Sequence, residues 1–317
     1  MVVNRNGFTY GANIFVLSLS LVLFLTVSAQ TSQFRIMAVV CVALGTTTSL
    51  FYIIKIKEAH LSKIATEREE IYQKAIGRGN APKPTNANGK AAGKTAGDWL
   101  KETQFYLFGL VYMFARVSLN TTATMMPLYL SEVTVFTPRP DMDTPVAIAA
   151  VPLCSYFCSL LFSVTLQNWI TQKFRNRLIP MFISIIVTAV GSIPMAFLGS
   201  DNLRNIIYPL AAIQGVGNAL MLNTGTSCIS DVIGQDTSSS AFVYGMYSLS
   251  DKFANGILLF WLVASYATNP LALQWIMAIV PTVCAIVCTI ATWIGITLYA
   301  EKLAKISSGS MLIKSRQ

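Results

Sequence analysis

The sequence predicts an all-α membrane protein, a polytopic bundle of about eight transmembrane helices. Three observations carry that prediction. Of 317 residues, 54% are hydrophobic and only 12% charged, a balance that suits neither an ordinary soluble domain nor a disordered chain. The apolar residues gather into eight runs, each near the ~20 residues a helix needs to cross a bilayer. The basic residues gather between the runs: 18 of the 23 Lys and Arg fall in segments that alternate crossings put on one side. Such asymmetry sets membrane orientation. The net charge of +9 therefore calls for a lipid bilayer as partner and not for nucleic acid.

The first run, 11–29, follows Arg5, and Val27-Ser28-Ala29 resembles a signal-peptidase site. Its length and the immediate start of the second run, 34–54, favour a membrane span. Between Lys55 and Lys101 lie ten Lys/Arg against five acids. KIKEAHLSKIATEREEIYQKAI reads as a surface helix there, and the Gly- and Asn-rich remainder as a linker. This segment is expected in the cytosol, which fixes the sidedness of every later loop.

The third run is 105–130. The loop after it, SEVTVFTPRPDMDT, has three acids and one Arg and is expected outside. The fourth run, 145–167, returns to an inner loop with Lys173, Arg175 and Arg177. The fifth, sixth, seventh and eighth runs are 178–199, 205–229, 241–266 and 273–299. The tail carries Lys302, Lys305, Lys314 and Arg316 and is expected inside, so both termini are cytosolic. Six cysteines lie in or beside apolar runs. Cys154/Cys158 and Cys284/Cys288 each share a helix face, but they lack the partners a metal site needs, and the single histidine, His60, lies in a loop. Structural thiols are expected, with no metal, no cofactor and no catalytic residue; the chain is not expected to be an enzyme.

The seventh run holds the chemistry. Wound at about 100° per residue, AFVYGMYSLSDKFANGILLF separates into two faces. Phe242, Met246, Leu249, Phe253, Ile257 and Phe260 form one. Tyr244, Tyr247, Ser248, Asp251, Lys252 and Asn255 form the other. A charge at mid-bilayer costs ~2.5–3.5 kcal/mol on insertion scales, so such groups face a bundle interior or a water-filled path. Arg116 lies midway along the third run, with Tyr112 and Asn120 on its face. The candidate solute and ion pathway is thus Arg116, Asn120, Tyr247, Asp251, Lys252 and Asn255. Arg116 is the natural counter-ion for Asp251. Lys252, pointing about 100° away, is left for a solute or another acid. Gln214, Asn218 and Asp231 in and after the sixth run are expected to serve gating or packing, since amides bond across helices and glycines beside them allow close approach.

Two stretches carry a family resemblance. SSSAFVYGMYSLSDKFANG at 238–256, preceded by SDVIG, and FYLFGLVYMFARVSLN at 105–120 resemble the major facilitator superfamily. The subgroup they resemble is the glycoside–pentoside–hexuronide:cation symporters. That resemblance implies a twelve-helix fold in two halves, with a solute bound between them near mid-membrane. Residues 1–56 resemble the fifth and sixth helices, 57–103 the inter-half loop and 104–299 the six-helix C-terminal half, with 300–317 a basic tail. Four helices of the family have no counterpart, so the expectation is a fold truncated at its N-terminus, a fragment of a longer protein. The implied function is a secondary transporter, symporter-like, moving a small polar solute, cysteine or a sugar, with a coupling cation, proton or sodium. Relatives use a Lys in the helix that Lys252 matches. The implied membrane is the plasma membrane or that of lysosomes and lysosome-related organelles. A non-transporting membrane regulator or subunit is the alternative. A seven-span receptor is disfavoured: Asn269-Pro270 sits in a loop with no following Tyr, and no outer-loop disulfide is expected.

Overall fold

The computed structural model describes residues 2–55, 96–134, 145–173, 177–197, 200–233 and 240–314. Among these residues every regular element is a helix. In chain order they are α1 (Val2–Thr26), α2 (Gln30–Lys55), α3 (Ala96–Leu100), α4 (Thr103–Glu132), α5 (Ala147–Lys173), α6 (Leu178–Ser192), α7 (Pro194–Phe197), α8 (Ser200–Ile233), α9 (Ser240–Tyr266) and α10 (Pro270–Lys314). The basic segment from residue 56 to 95, with His60, and most of the acidic loop after α4 lie outside the described residues.

Among the described residues six stretches are long and apolar enough to cross a membrane: those of α1, α2, α5, α6 with α7, α8 and α10. The chain is a polytopic helical membrane protein. The two remaining long helices, α4 and α9, have 30 and 27 residues and thus the length of a crossing. They are also the helices that carry Arg116 and the Asp251-Lys252 pair. The eight crossings expected from the sequence therefore stand at six on composition, with the two polar helices held among them by packing.

Two boundaries differ from expectation. The fifth run is not one helix: α6 closes at Ser192, the N–H of its cap Ile193 still bonds to Ala189 O at 2.9 Å, and Pro194 then starts α7. Proline has no N–H to continue the ladder. The last helix does not stop near 299 but runs on to Lys314, so the tail begins as a helical extension.

α4 and α8 form the middle of the bundle. α4 packs on α10, α9 and α8, while α8 packs on α6, α5 and α4. α1 lies mainly against α5, and α2 touches little beyond α1. Apolar clusters close both ends. At one end Met125, Tyr129 and Leu130 of α4 meet Ile207 and Ala211 of α8, Leu262 of α9 and Met277 of α10. At the other, Trp99 and Phe105 meet Ile229, Val243 and Tyr247. Small residues set the spacing in between. A Cβ on Gly215 would stand 2.5 Å from the Ser155 carbonyl oxygen, so α8 and α5 are in backbone contact there. In a bilayer, where lipid is as apolar as leucine, such close approach is what holds helices together.

Candidate functional site

Beyond the Trp99 cluster the buried face of α9 turns polar. α9 turns Val243, Tyr247, Asp251 and Asn255 inward, all buried and spaced four apart. Its other face leaves Leu249, Phe253, Ile257 and Phe260 at 58–75% exposure. The hydrocarbon face thus points away from the bundle and the polar face into it, as the helical period requires.

Asp251 is 1% exposed, and its Oδ2 accepts from Arg116 Nε at 3.3 Å. Its Oδ1 accepts from Asn255 Nδ2 at 2.6 Å, which also donates to the Asp251 carbonyl at 2.8 Å. Both carboxylate oxygens are therefore engaged, one by a cation on α4 and one by an amide a turn away. The guanidinium is held by one edge. Its Nη groups make no hydrogen bond among the described residues, and Arg116 keeps 20% exposure. Asn255 Oδ1 is buried with no partner among them.

Two tyrosines pair where α1 meets α5. Tyr10 of α1 and Tyr156 of α5 have ring centroids 6.4 Å apart. Tyr10 is 1% exposed and its hydroxyl has no partner among the described residues. Tyr156 also lines a cavity of about 20 Å³ between α4, α5 and α8, with Thr122, Ser155, Ser159 and Asn218. That volume holds about one water, and the hydroxyl and amide lining suits one.

The other residues singled out from sequence fall in different places. Asn218 accepts from Ser118 Oγ at 2.7 Å at the cavity wall. Gln214 donates to Ser192 Oγ at 3.0 Å, tying α8 to α6. Tyr247 lies a turn from Asp251 but works elsewhere. Its hydroxyl donates to Phe105 O at 2.7 Å, and its ring packs at 5.0 Å from that of Phe105 and fills the space beside Gly109. Asn120 is half-buried and makes no hydrogen bond among the described residues. Lys252 is exposed on the outer side of α9 and is not brought to the ion pair. Asp231 is in the last turn of α8, and its side chain is outside the described residues.

Three polar side chains inside the bundle escaped the sequence reading: Tyr10, Tyr156 and Asn6. Asn6 donates to Asn223 at 2.7 Å, and Asn223 in turn donates to Ser163 at 2.9 Å, joining α1, α8 and α5. Asn6 and Tyr10 are four apart, one turn of a helix, which was the available signal.

No family model matches the chain, and no solved structure matches it. Curated relatives do. The chain is 34% identical over 160 residues to a mouse (Mus musculus) protein named major facilitator superfamily domain-containing protein 12. Its identity to the proteins of that name from horse (Equus caballus) and human (Homo sapiens) is 32% over the same length. The match takes in 50% of this chain and 31% of each relative. Over half its length the chain is thus similar to proteins of the major facilitator superfamily.

Proposed function

We propose that the protein is a secondary transporter that moves a small polar solute by alternating access, and that Asp251 couples the movement to a cation. The observation that carries this reading is the Arg116–Asp251–Asn255 constellation, a buried ion pair between two helices of a membrane bundle. A carboxylate and a guanidinium at that depth are expensive unless they face a pathway or each other. Here they face each other, with Asp251 closed off and Arg116 keeping 20% exposure, which supports a pathway on the Arg116 side. The similarity to major facilitator superfamily proteins supports the same reading. Through the sequence resemblance, cysteine or a sugar is the solute and a proton or sodium the cation. A plasma or lysosomal membrane is the setting.

An ion pair that parts and re-forms as helices move can bind a cation in one state and release it in the other. If α4 and α9 separate, Asp251 loses its counter-charge and takes up a proton or sodium ion. When they close, Arg116 displaces it. Asp251→Asn tests the step, because the amide keeps the size and an acceptor oxygen but cannot carry the charge. In vesicles reconstituted with the full-length protein, this variant should lose gradient-driven uptake while energy-independent exchange of solute persists. Gradient-driven uptake at the wild-type rate would remove Asp251 from the coupling step.

A further inference from the structure

Pro127 sits inside α4 and Pro152 inside α5. Each lacks the N–H that the carbonyl four residues earlier would accept from in an unbroken helix. The carbonyls concerned are those of Ala123 on α4 and Ile148 on α5. Both gaps fall at one place, because Ala123 and Pro152 line the cavity of about 20 Å³ between α4, α5 and α8. The hydroxyl protons in its wall are already spent. Thr122 Oγ1 donates to the Ser118 carbonyl at 2.9 Å, and Ser159 Oγ donates to the Ser155 carbonyl at 2.8 Å. A carbonyl only accepts, so each hydroxyl has given its single proton to its own helix and keeps lone pairs alone. The amide of the wall is engaged too. Asn218 Oδ1 accepts from Ser118 Oγ at 2.7 Å, and Asn218 Nδ2 reaches Thr122 Oγ1 at 3.5 Å. Thr122 and Ser159 are both buried, so bulk water does not answer their lone pairs.

A cavity with more buried oxygen acceptors than free donors favours a positive ligand, and its lining narrows the choice. No carboxylate, imidazole or amine lines it, so it cannot take up a proton. Divalent ions are held mainly through carboxylates, and this wall has none. The volume is that of about one water, a space that a bare sodium ion fits. We propose that the cavity is a sodium site, with the hydroxyl oxygens of Thr122 and Ser159 and the carbonyl of Ala123 as ligands. It is separate from the Arg116–Asp251 pair and uses no charged ligand. This goes beyond the transport reading, in which Asp251 takes the cation, and does not depend on it.

The test is sodium binding to the purified full-length protein in detergent, read by radioactive sodium and by thermal unfolding. Sodium chloride should raise the unfolding temperature by about 3 °C over choline chloride at equal ionic strength. Potassium, a larger ion, should raise it less. Ser159→Ala and Thr122→Val each remove one ligand oxygen, the second with the shape of the side chain kept. Each should weaken sodium binding about tenfold, the scale of one bond to a charged group, and shrink the sodium-minus-choline difference. That difference is the readout, so a variant that is merely less stable in both salts does not imitate the loss. If Ser159→Ala does not fold, Thr122→Val carries the test. Asp251→Asn should keep the sodium response. Equal unfolding temperatures in sodium and choline would mean that the cavity holds water only, and would overturn the site. So would an unchanged response in both cavity variants, which puts the ion elsewhere, or its loss in Asp251→Asn, which puts the ion at the ion pair. Uptake separates this site from the transport reading. Sodium binding that survives Asp251→Asn, with no uptake in vesicles, keeps the site and sinks transport. Gradient-driven uptake by a protein that binds no sodium keeps transport and sinks the site.

Discussion

Arg116 and Asp251 are unequal partners in a single contact. Asp251 is 1% exposed and Arg116 20%, so loss of each leaves a different problem behind. Without Asp251, the guanidinium can extend its long stem toward water or headgroups. Without Arg116, the carboxylate is left with Asn255 alone. Arg116→Ala should therefore destabilise more than Asp251→Ala, the former by about 3 kcal/mol, the scale of a broken buried pair. The double change should cost less than the sum by about 1 kcal/mol or more. Thermal or denaturant unfolding in micelles measures all three; strictly additive losses would mean that the 3.3 Å contact carries no coupling. This much of the site was legible beforehand, because Tyr247, Asp251 and Asn255 repeat every four residues on a helix of spanning length. Lys252 was not resolved by the same logic. The polar arc drawn on a helical wheel is wider than the strip that actually packs, so a residue at its edge turns outward although its neighbour is buried. Nor could the wheel assign Tyr247, whose phenol reaches away from the ion pair to the carbonyl of Phe105.

At the scale of elements, α8 is the helix on which the others register. It meets α5 at Gly215 and α6 at Gly217, where a Cβ would collide with Thr188 of that helix. The polar bonds follow the same seams: Gln214 to Ser192, Ser118 to Asn218, and Asn6 through Asn223 to Ser163. Glycines bring the backbones close, and the amides then reach across. Gly215→Ala should therefore push α5 from α8 at Ser155 and lower stability by about 1–3 kcal/mol, the usual range for overpacking. Because Ser155 and Ser159 also line the small cavity, the same change should loosen it. Unfolding in micelles reads the first effect; an unchanged midpoint would show that the α5–α8 contact yields freely. The glycines and amides of α8 pointed in the sequence to close contact across helices. It did not announce the partners, since an amide pairs with whatever a neighbouring helix presents at that height. The break at Pro194 was visible in principle, but a twenty-residue apolar run masks it.

For the whole molecule, the asymmetry of basic residues and the packing of α4 with α9 bear on one question, which side each end of the ion-pair helices faces. Both helices should run from the inner to the outer side, because the basic segment precedes α4 and the acidic loop follows it. Their ends are short and exposed: Lys101 lies just before α4, and Thr268 lies in the turn between α9 and α10. α9 also lays its buried face on α4, with Tyr247 near the start of α4 at Phe105 and Leu262 in the cluster with Met126 and Tyr129 near its end. Since 105 pairs with 247 and 126–129 with 262, the two helices are parallel, and their orientations stand or fall together. In a background with the six native cysteines replaced, Thr268→Cys should react with a membrane-impermeant maleimide from the non-cytosolic side. Lys101→Cys should react only after permeabilisation. Labelling of both from one side would contradict parallel crossing, and the reverse pattern would invert the orientation read from charge. The result also decides from which side Arg116 is reached. It lies about midway along α4, and the cavity wall that Tyr156 shares is formed by Leu119, Thr122 and Met126, on the part of the helix that follows Arg116. With the start of α4 in the cytosol, that part leads to the outer side. A cysteine at Thr122, on that part of the helix, should then react with the impermeant maleimide faster from the outer side than from the cytosol, and faster labelling from the cytosol would place the access route on the other side.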